Sequence, residues 1–426
     1  MLLSLNVENF RSFKEGFELS LIASADKTYS DTHTRAIPNL KHHAYLVSTA
    51  IYGANGSGKT GVLQALMIMR RLVLESARES MAGDPLPIDP FRFTAASRTS
   101  PTRIEVVFAH QGIRYQFGFI ATKTQIIEEW LYATPNEGRL QKWYQRVWNE
   151  ETTSYEWMFG SRFQGLKKLW QEATAPNALF LSVAVRFNSS QLKPIYDWFK
   201  SDLVLLRAQE QDGLGFTLSQ CETTQGRAQV LAFMKQAGIG LNEILFEAKD
   251  VNEEMIPEEL QGKVSVDELR KIFGDKLARV EFLYEGADTD GAISLGEESN
   301  GTQQLFSLAA PIMNALQTGA TILCDELDAS LHPRLAAAII QLFHQPETNP
   351  KGAQLIFNGH NTAFLDQDIF RRDQIWFTEK DRHGASRLYP LSDFKPRKKF
   401  EPLQKGYLGG RYGGLPIMPP FHQLTT

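Results

Sequence analysis

The chain has 426 residues, more than one compact core usually holds, so two or three structural units are expected. Its hydrophobic share of 42% and charged share of 22% are ordinary globular values, and a net charge of −4 speaks against a surface coated with nucleic-acid-binding charge while leaving room for a local basic patch. Cys221 and Cys324 are the two cysteines, too few for a disulfide framework or a CxxC zinc site. No apolar run reaches the ~18 residues of a membrane span, and the start of the chain alternates where a secretory segment would be continuously apolar, so a cytoplasmic protein is expected.

Residues 2–10 (LLSLNVENF) alternate like a strand, and Phe17, Leu19 and Leu21 repeat the pattern after a turn at Glu15-Gly16, which predicts a hairpin. A polar stretch from Ser24 to His43 reads as a loop. Tyr45–Tyr52 is an apolar strand that feeds a glycine-rich turn. From Thr60 to about Glu79 the chain is helix-like, with Val62, Ala65, Leu66, Met69, Leu72 and Val73 on one face. After the proline-rich connector Asp84–Pro90, the segments Ile104–Phe108, Tyr115–Ile120 and Ile126–Tyr132 predict an antiparallel β lobe. Residues 160–240 read as mostly helical, including Ser190–Phe199 and Gly226–Ala237, and no sustained heptad array supports a long coiled coil. Residues 241–300 hold 16 acidic against 6 basic side chains, and 371–411 hold 11 basic against 5 acidic; two solvated faces are the plainer reading of this polarity. Cys324 lies inside an apolar strand pattern and reads as a small buried hydrophobe.

The strongest chemical signal is Gly53-Ala54-Asn55-Gly56-Ser57-Gly58-Lys59-Thr60, a GxxxxGK[ST] loop between an apolar strand and an amphipathic helix. Glycines there let backbone N–H groups curl around a phosphate, and the helix N-terminus adds positive potential. Lys59 is expected to reach the β- and γ-phosphates of ATP, and Thr60 to ligate Mg²⁺. The strand Thr321-Ile322-Leu323-Cys324 ends in Asp325 and Glu326. Unpaired buried carboxylates are costly, so two at one strand end point to chemistry: Asp325 for the Mg²⁺ shell, Glu326 to orient or deprotonate the attacking water.

The flanking motifs carry a family resemblance. Glu298-Ser299-Asn300-Gly301-Thr302-Gln303-Gln304-Leu305 precedes the Asp-Glu strand by about one helix and resembles the signature of ABC ATPases. That resemblance implies that Ser299 and Gly301 touch the γ-phosphate held by the opposite subunit; a plain helix cap at Ser299 is the alternative. Leu327-Asp328-Ala329-Ser330-Leu331-His332-Pro333 is similar to the family's D-loop, which makes Asp328 a residue of communication across a dimer. His360, after the apolar Leu355–Phe357, resembles the switch histidine. Asn9-Phe10-Arg11-Ser12-Phe13 resembles the opening of RecF, SMC and Rad50-type heads, where an arginine can approach the nucleotide, so Arg11 is a phosphate or ribose candidate. The metal-sphere glutamine of the family has no match near Phe91–Phe93, and Gln111 and Gln116 do not decide the matter.

Together with the closing Tyr407-Leu408-Gly409-Gly410-Arg411-Tyr412-Gly413-Gly414 these motifs are similar to the RecF/SMC-like ATPases of bacterial defence islands, above all to the group of the PARIS ATPase AriA and RloA. The resemblance implies an α/β fold: a P-loop ABC-type nucleotide-binding head with an antiparallel β lobe and an inserted, mainly helical short arm. Residues 1–90 and 291–400 are expected to complete the head, 91–160 the lobe, 161–290 the arm and 401–426 an irregular tail. It also implies ATP and Mg²⁺ as ligands, a homodimer or higher homo-oligomer with two sandwiched nucleotides, and an anti-phage role in which an invader-derived trigger releases a TOPRIM-like nuclease. A RecF-like repair ATPase clamping nucleic acid is the alternative, kept open by the Lys395–Lys399 basic run. A self-contained nuclease fits poorly, since about 60 residues follow the switch strand, too few for a TOPRIM domain.

Overall fold

Alternation in the first residues produces the strand Leu2–Glu8, which pairs antiparallel with Phe17–Ser20 and with Thr102–His110. A register shift between Leu2 and Ser4 breaks strict alternation. Leu2, Leu5 and Val7 therefore enter one core, while Leu3 packs with Ile37, Tyr45, Val47 and Ala109 in another. The computed structural model describes residues 1–37, 43–78, 81, 83–135, 138–207, 211–250, 276–286, 291–397 and 401–416. Part of the acid-rich stretch, Lys398 and Lys399 of the basic run and the tail after 416 lie outside the described residues.

The chain forms two units: Met1–Leu205 with Ala315–Asp328 and Ala336–Thr426, and Leu206–Asn314 with Ala329–Leu335. In the first, the N-terminal hairpin belongs to a seven-stranded antiparallel sheet that continues through Ile113–Ala121, Ile126–Pro135, Gln141–Asn149 and Ser154–Phe159. The hairpin and the β lobe are thus one sheet. Phe10, Phe13, Phe108 and Phe117 share a core with Val62, Leu66 and Met69 of the helix Lys59–Glu75, on the face its apolar spacing predicts. The fully buried Glu129 carboxylate accepts from Arg146 Nη2 at 2.9 Å, Tyr144 Oη at 2.7 Å and the N–H groups of Phe180 and Leu181. Four donors offset its desolvation.

A six-stranded sheet also lies largely in this unit. Thr321–Asp325, Gln354–Asn358, Ser48–Gly53 and Ile375–Lys380 run parallel side by side in that order, and Ser386–Pro390 follows antiparallel. Their near-continuous apolar character is what a strand covered on both faces requires. The buried Gln354 joins the two sheets: its Oε1 accepts from Leu2 N at 2.6 Å, and its Nε2 donates to Leu2 O at 2.9 Å and Leu46 O at 3.1 Å.

Residues 160–240, read as mostly helical, carry the helices Lys167–Ala173, Phe180–Arg186, Leu214–Cys221 and Thr224–Gln236, and the second unit adds strands after them. Leu241–Asp250, Lys276–Tyr284 and Ile293–Ser294 form an antiparallel sheet beside the helices Leu214–Cys221 and Thr224–Gln236. Phe282 meets Phe306 edge to face at 5.4 Å. The helix that starts at Asn300 contains Pro311, which cannot donate to the carbonyl of Ser307. Thr217 Oγ1 donates to that carbonyl at 3.2 Å and accepts from Ala310 N at 3.3 Å. The tail also departs from the expected irregularity. Leu403–Leu408 is a helix, and Tyr407 and Tyr412 stack on Phe377.

Two histidines are buried behind the parallel sheet. His33 and His344 stack with centroids 3.8 Å apart. His33 Nε2 faces the Ile369 carbonyl at 2.9 Å and must donate to it, so Nδ1 accepts from Thr32 Oγ1 at 2.8 Å. Ser48 Oγ accepts from Gln374 Nε2, which leaves its proton for His344 Nε2 at 2.7 Å. These contacts suit neutral rings, which burial favours. Burial lowers His33 to about 4 and His344 well below the ordinary value. The unfolded chain takes up these protons near pH 6.5, so stability is fully present above that pH and falls toward pH 4, by up to ~1.4 kcal/mol per pH unit per histidine. Urea midpoints at pH 7 and pH 5 should differ less for His344→Gln than for the wild type; an equal drop would clear His344 of responsibility.

Candidate nucleotide-binding site

The strand Ser48–Gly53 is buried along its length, and its parallel pairing with Gln354–Asn358 and Ile375–Lys380 places three carboxyl ends together. The chain then turns through Ala54–Gly58 into the helix that begins at Lys59. Gly58 has φ of 112°, and a Cβ there would stand 2.8 Å from Ser12 Oγ, so no other residue fits without displacement. Ser57 Oγ shares a hydrogen bond with Thr378 Oγ1 at 2.6 Å, which anchors the loop to the neighbouring strand. Lys59 Nζ donates to the carbonyls of Gly53 at 2.9 Å and Ala54 at 3.1 Å. Burial lowers the Lys59 pKa, and the nearby Glu326, Asp325 and Asp328 act in the opposite direction.

A cavity of about 480 Å³ opens at this end of the sheet. Arg11 and Ser12 line it, with Asn55, Gly56, Gly58, Lys59 and Thr60 of the loop, Gly61 and Gln64 of the helix, and Glu326 and His360. Arg11 is held in a left-handed conformation with φ of 52°, and its N–H donates to Asp89 O at 2.7 Å. Thr60 Oγ1 donates to Asp325 Oδ1 at 3.1 Å. A hydroxyl and a carboxylate so placed are the hard oxygen donors that suit Mg²⁺.

The two carboxylates are set by one neighbour. The buried Asn358 donates through Nδ2 to Asp325 Oδ1, and its Oδ1 accepts from Glu326 N at 2.6 Å. Glu326 has φ of 59°, a left-handed conformation that side chains adopt at a cost of ~1–3 kcal/mol. His360 Nε2 is 3.9 Å from Glu326 Oε1. Asp328 accepts from His360 N at 2.9 Å and Asn361 N at 2.5 Å, so its carboxylate fixes the backbone of the histidine loop within this chain.

The family profile described as "AAA domain, putative AbiEii toxin, Type IV TA system" matches residues 48–366. The chain belongs to that family. As a member of the AAA-domain family it is a P-loop ATPase, which binds and hydrolyses ATP. Among solved structures it is similar to the recombination mediator protein RecF with ATPrS, at a TM-score of 0.36 and 12% identity over 91% of this chain and 98% of that one. It is similar also to RecF with ATP, at a TM-score of 0.30 and 12% identity over 91% and 97%. No curated protein matches the chain.

The matched segment of this AAA-domain protein also contains Ser299 and Gly301, which lie in the second unit. Ser299 Oγ accepts from Thr302 N at 3.2 Å, an N-cap bond, and a Cβ on Gly301 would stand 2.7 Å from the Ser330 carbonyl oxygen. Gln111 lies in a strand turn, and Gln116 Nε2 donates to Glu105 at 3.1 Å. The glutamine at the cavity is Gln64, whose buried Oε1 has no hydrogen-bond partner. Its position four residues after Thr60 puts it on the same helix face, a signal present in the sequence. Ser12 stands in the Asn9–Phe13 motif without an assigned role, and it, Thr378 and Asn358 come to light through packing. Asn358→Ala should retain ATP binding and lower ATPase turnover by ~10–100-fold, the usual loss when a residue that orients metal-site groups is removed; steady-state phosphate release against a nucleotide titration would show it.

Proposed function

We propose that this P-loop ATPase works as an ABC-type engine that binds ATP·Mg²⁺ between two copies of the chain and uses it to hold or release a partner effector in anti-phage defence. The observation that carries the catalytic part is the single cavity lined by Arg11, the P-loop, Thr60, Glu326 and His360. Gly53, Asn55, Gly56, Ser57 and Gly58 shape the loop whose N–H groups face the phosphates, and Lys59 supplies the cation. Thr60 and Asp325 would hold Mg²⁺, which when bound neutralises charge developing on the phosphates. Glu326 takes the proton of the attacking water, and His360 is placed to contact the γ-phosphate. Arg11 serves as a further phosphate or ribose contact.

In this reading Ser299 and Gly301 complete the site of the opposite copy, and Asp328 links the two sites through the histidine loop it holds. The effector would be a TOPRIM-like nuclease and the trigger an invader-derived molecule. A clamp on nucleic acid gains little support from the basic 371–411 stretch. Three of its basic side chains are held in ion pairs: Arg371 with Asp373 at 2.7 Å, Arg372 with Asp26 at 2.6 Å and Arg411 with Glu401 at 2.8 Å. Among the described residues no helix is long and apolar enough to cross a membrane.

Lys59→Ala should abolish ATP binding, and Glu326→Gln should bind ATP but turn it over ~10²–10⁴-fold more slowly, with the dimer favoured in the trapped state. Titration, phosphate release and light scattering read these three outcomes; wild-type turnover in Glu326→Gln would remove that residue from the role of base. Ser299→Arg should spare nucleotide binding and block hydrolysis, because a bulky cation at a helix N-terminus opposes both the dipole and a close phosphate. Full activity there would reduce Ser299 to a helix cap. For the defence role, phage plating on cells that carry the gene with its neighbouring reading frames should fall with the wild type and recover with Lys59→Ala; equal plating would overturn it.

A further inference from the structure

A second cavity of about 430 Å³ lies beside the Phe10–Phe13 loop. Arg11 and Ser12 line the P-loop cavity, whereas the next two residues, Lys14 and Glu15, line this one. The opposite wall comes from the turn between Ile375–Lys380 and Ser386–Pro390. Ser386 ties the two cavities together. Its N–H donates to Ser12 O at 2.7 Å, and its Oγ stands 3.0 Å from where a Cβ on Gly58 would be. Ser386 is 3% exposed, and its buried hydroxyl has no hydrogen-bond partner.

The cavity also holds an aromatic ring. Phe93 is 67% exposed, so one face of it is open to a ligand. The ring is nonetheless set in place: Phe91 meets it edge to face at 5.4 Å, and a Cβ on Gly384, where φ is 78°, would stand 2.7 Å from it. Asp381 Oδ1 accepts the N–H groups of His383 and Ala385, each at 2.8 Å, which locks the turn carrying Gly384. Arg92 is drawn aside to Asp89 at 2.7 Å. A presented flat ring and a spare buried hydroxyl, in a cavity where the cations Lys14 and Arg387 are balanced by Glu15 and Asp381, are complementary to a flat, uncharged heteroaromatic group that carries hydroxyls.

We propose that this second cavity receives the nucleoside half of the nucleotide, with the base stacked on Phe93 and the Ser386 hydroxyl bonded to the sugar or base. The inference rests on the P-loop cavity being the phosphate site, and the Phe10–Phe13 loop is then the divider over which the nucleotide lies. Stacking on one aromatic side chain changes affinity by roughly tenfold.

The test uses the full chain and two probes in calorimetric titration, ATP and inorganic tripolyphosphate. Phe93→Ala should weaken ATP by about tenfold, leave tripolyphosphate unchanged and keep the wild-type thermal midpoint, since the ring is largely exposed; Phe93→Trp should restore ATP affinity. Unchanged ATP affinity in Phe93→Ala, or a parallel loss for both probes, would overturn the nucleoside assignment. Lys59→Ala reads the phosphate site separately: it should lose both probes, and retention of both would overturn the P-loop reading itself.

Discussion

The side-chain amide of Asn358 is the contact on which the candidate site depends. One group donates to Asp325 and accepts from Glu326 N–H, so two adjacent carboxylates at the end of the strand Thr321–Asp325 are fixed by a residue at the end of the neighbouring strand. The bond to Glu326 N offsets part of the cost of its left-handed backbone, and that conformation turns the side chain into the cavity beside His360. The register of the parallel sheet is therefore a chemical constraint: Cys324 opposes Phe357, and a slip by one residue would remove the amide from both carboxylates.

The P-loop depends on the same sheet from its other side. Thr378, on the strand paired with Ser48–Gly53, holds Ser57 through a buried hydroxyl pair and donates to Tyr52 O at 3.3 Å. Gly414 of the tail would place a Cβ 3.7 Å from Gly53 Cα, and Tyr407 Oη donates to Gly414 O at 3.1 Å. The closing glycine–tyrosine segment, which the motifs leave without a task, thus backs the turn that begins the phosphate loop. Its bonds stand in place of the irregularity that its composition suggests.

Much of the site was legible from the sequence because its residues sit at strand ends in fixed order. The loop from Gly53 to Thr60, the Asp325-Glu326 pair and His360 each follow an apolar run, and the parallel sheet brings those ends to one place. The periodic helix after Lys59 was equally legible, because six apolar positions on one face leave little choice. The second unit was not. Leu241–Asp250 mixes apolar and charged positions without regular alternation, and its pairing partner lies beyond a long intervening segment. Asn358, Thr378 and Ser386 were invisible for another reason. A polar side chain inside or beside an apolar strand has no meaning until its neighbour is known, and that neighbour is 33 residues away for Asn358 and Asp325 and 321 for Thr378 and Ser57.

The helix that begins at Asn300 shows how a bland and a functional reading of one residue can both hold. Ser299 Oγ satisfies the N–H of Thr302, the third residue of the helix, and Gln303 N returns to Ser299 O as the ladder begins. A cap of this kind leaves the N–H groups of Asn300 and Gly301 outside the ladder, directed along the helix axis. Gly301 is pressed against the Ser330 carbonyl, so the backbone at that turn is fixed by packing within the second unit. Capping therefore does not compete with anion recognition at this end of the helix. It rigidifies the donors on which such recognition would rely, and a change that keeps the cap oxygen but adds bulk separates the two roles without removing the cap. Ser299→Thr preserves the Oγ acceptor and adds a methyl group, so a merely structural cap tolerates it, whereas a surface that must approach a phosphate does not.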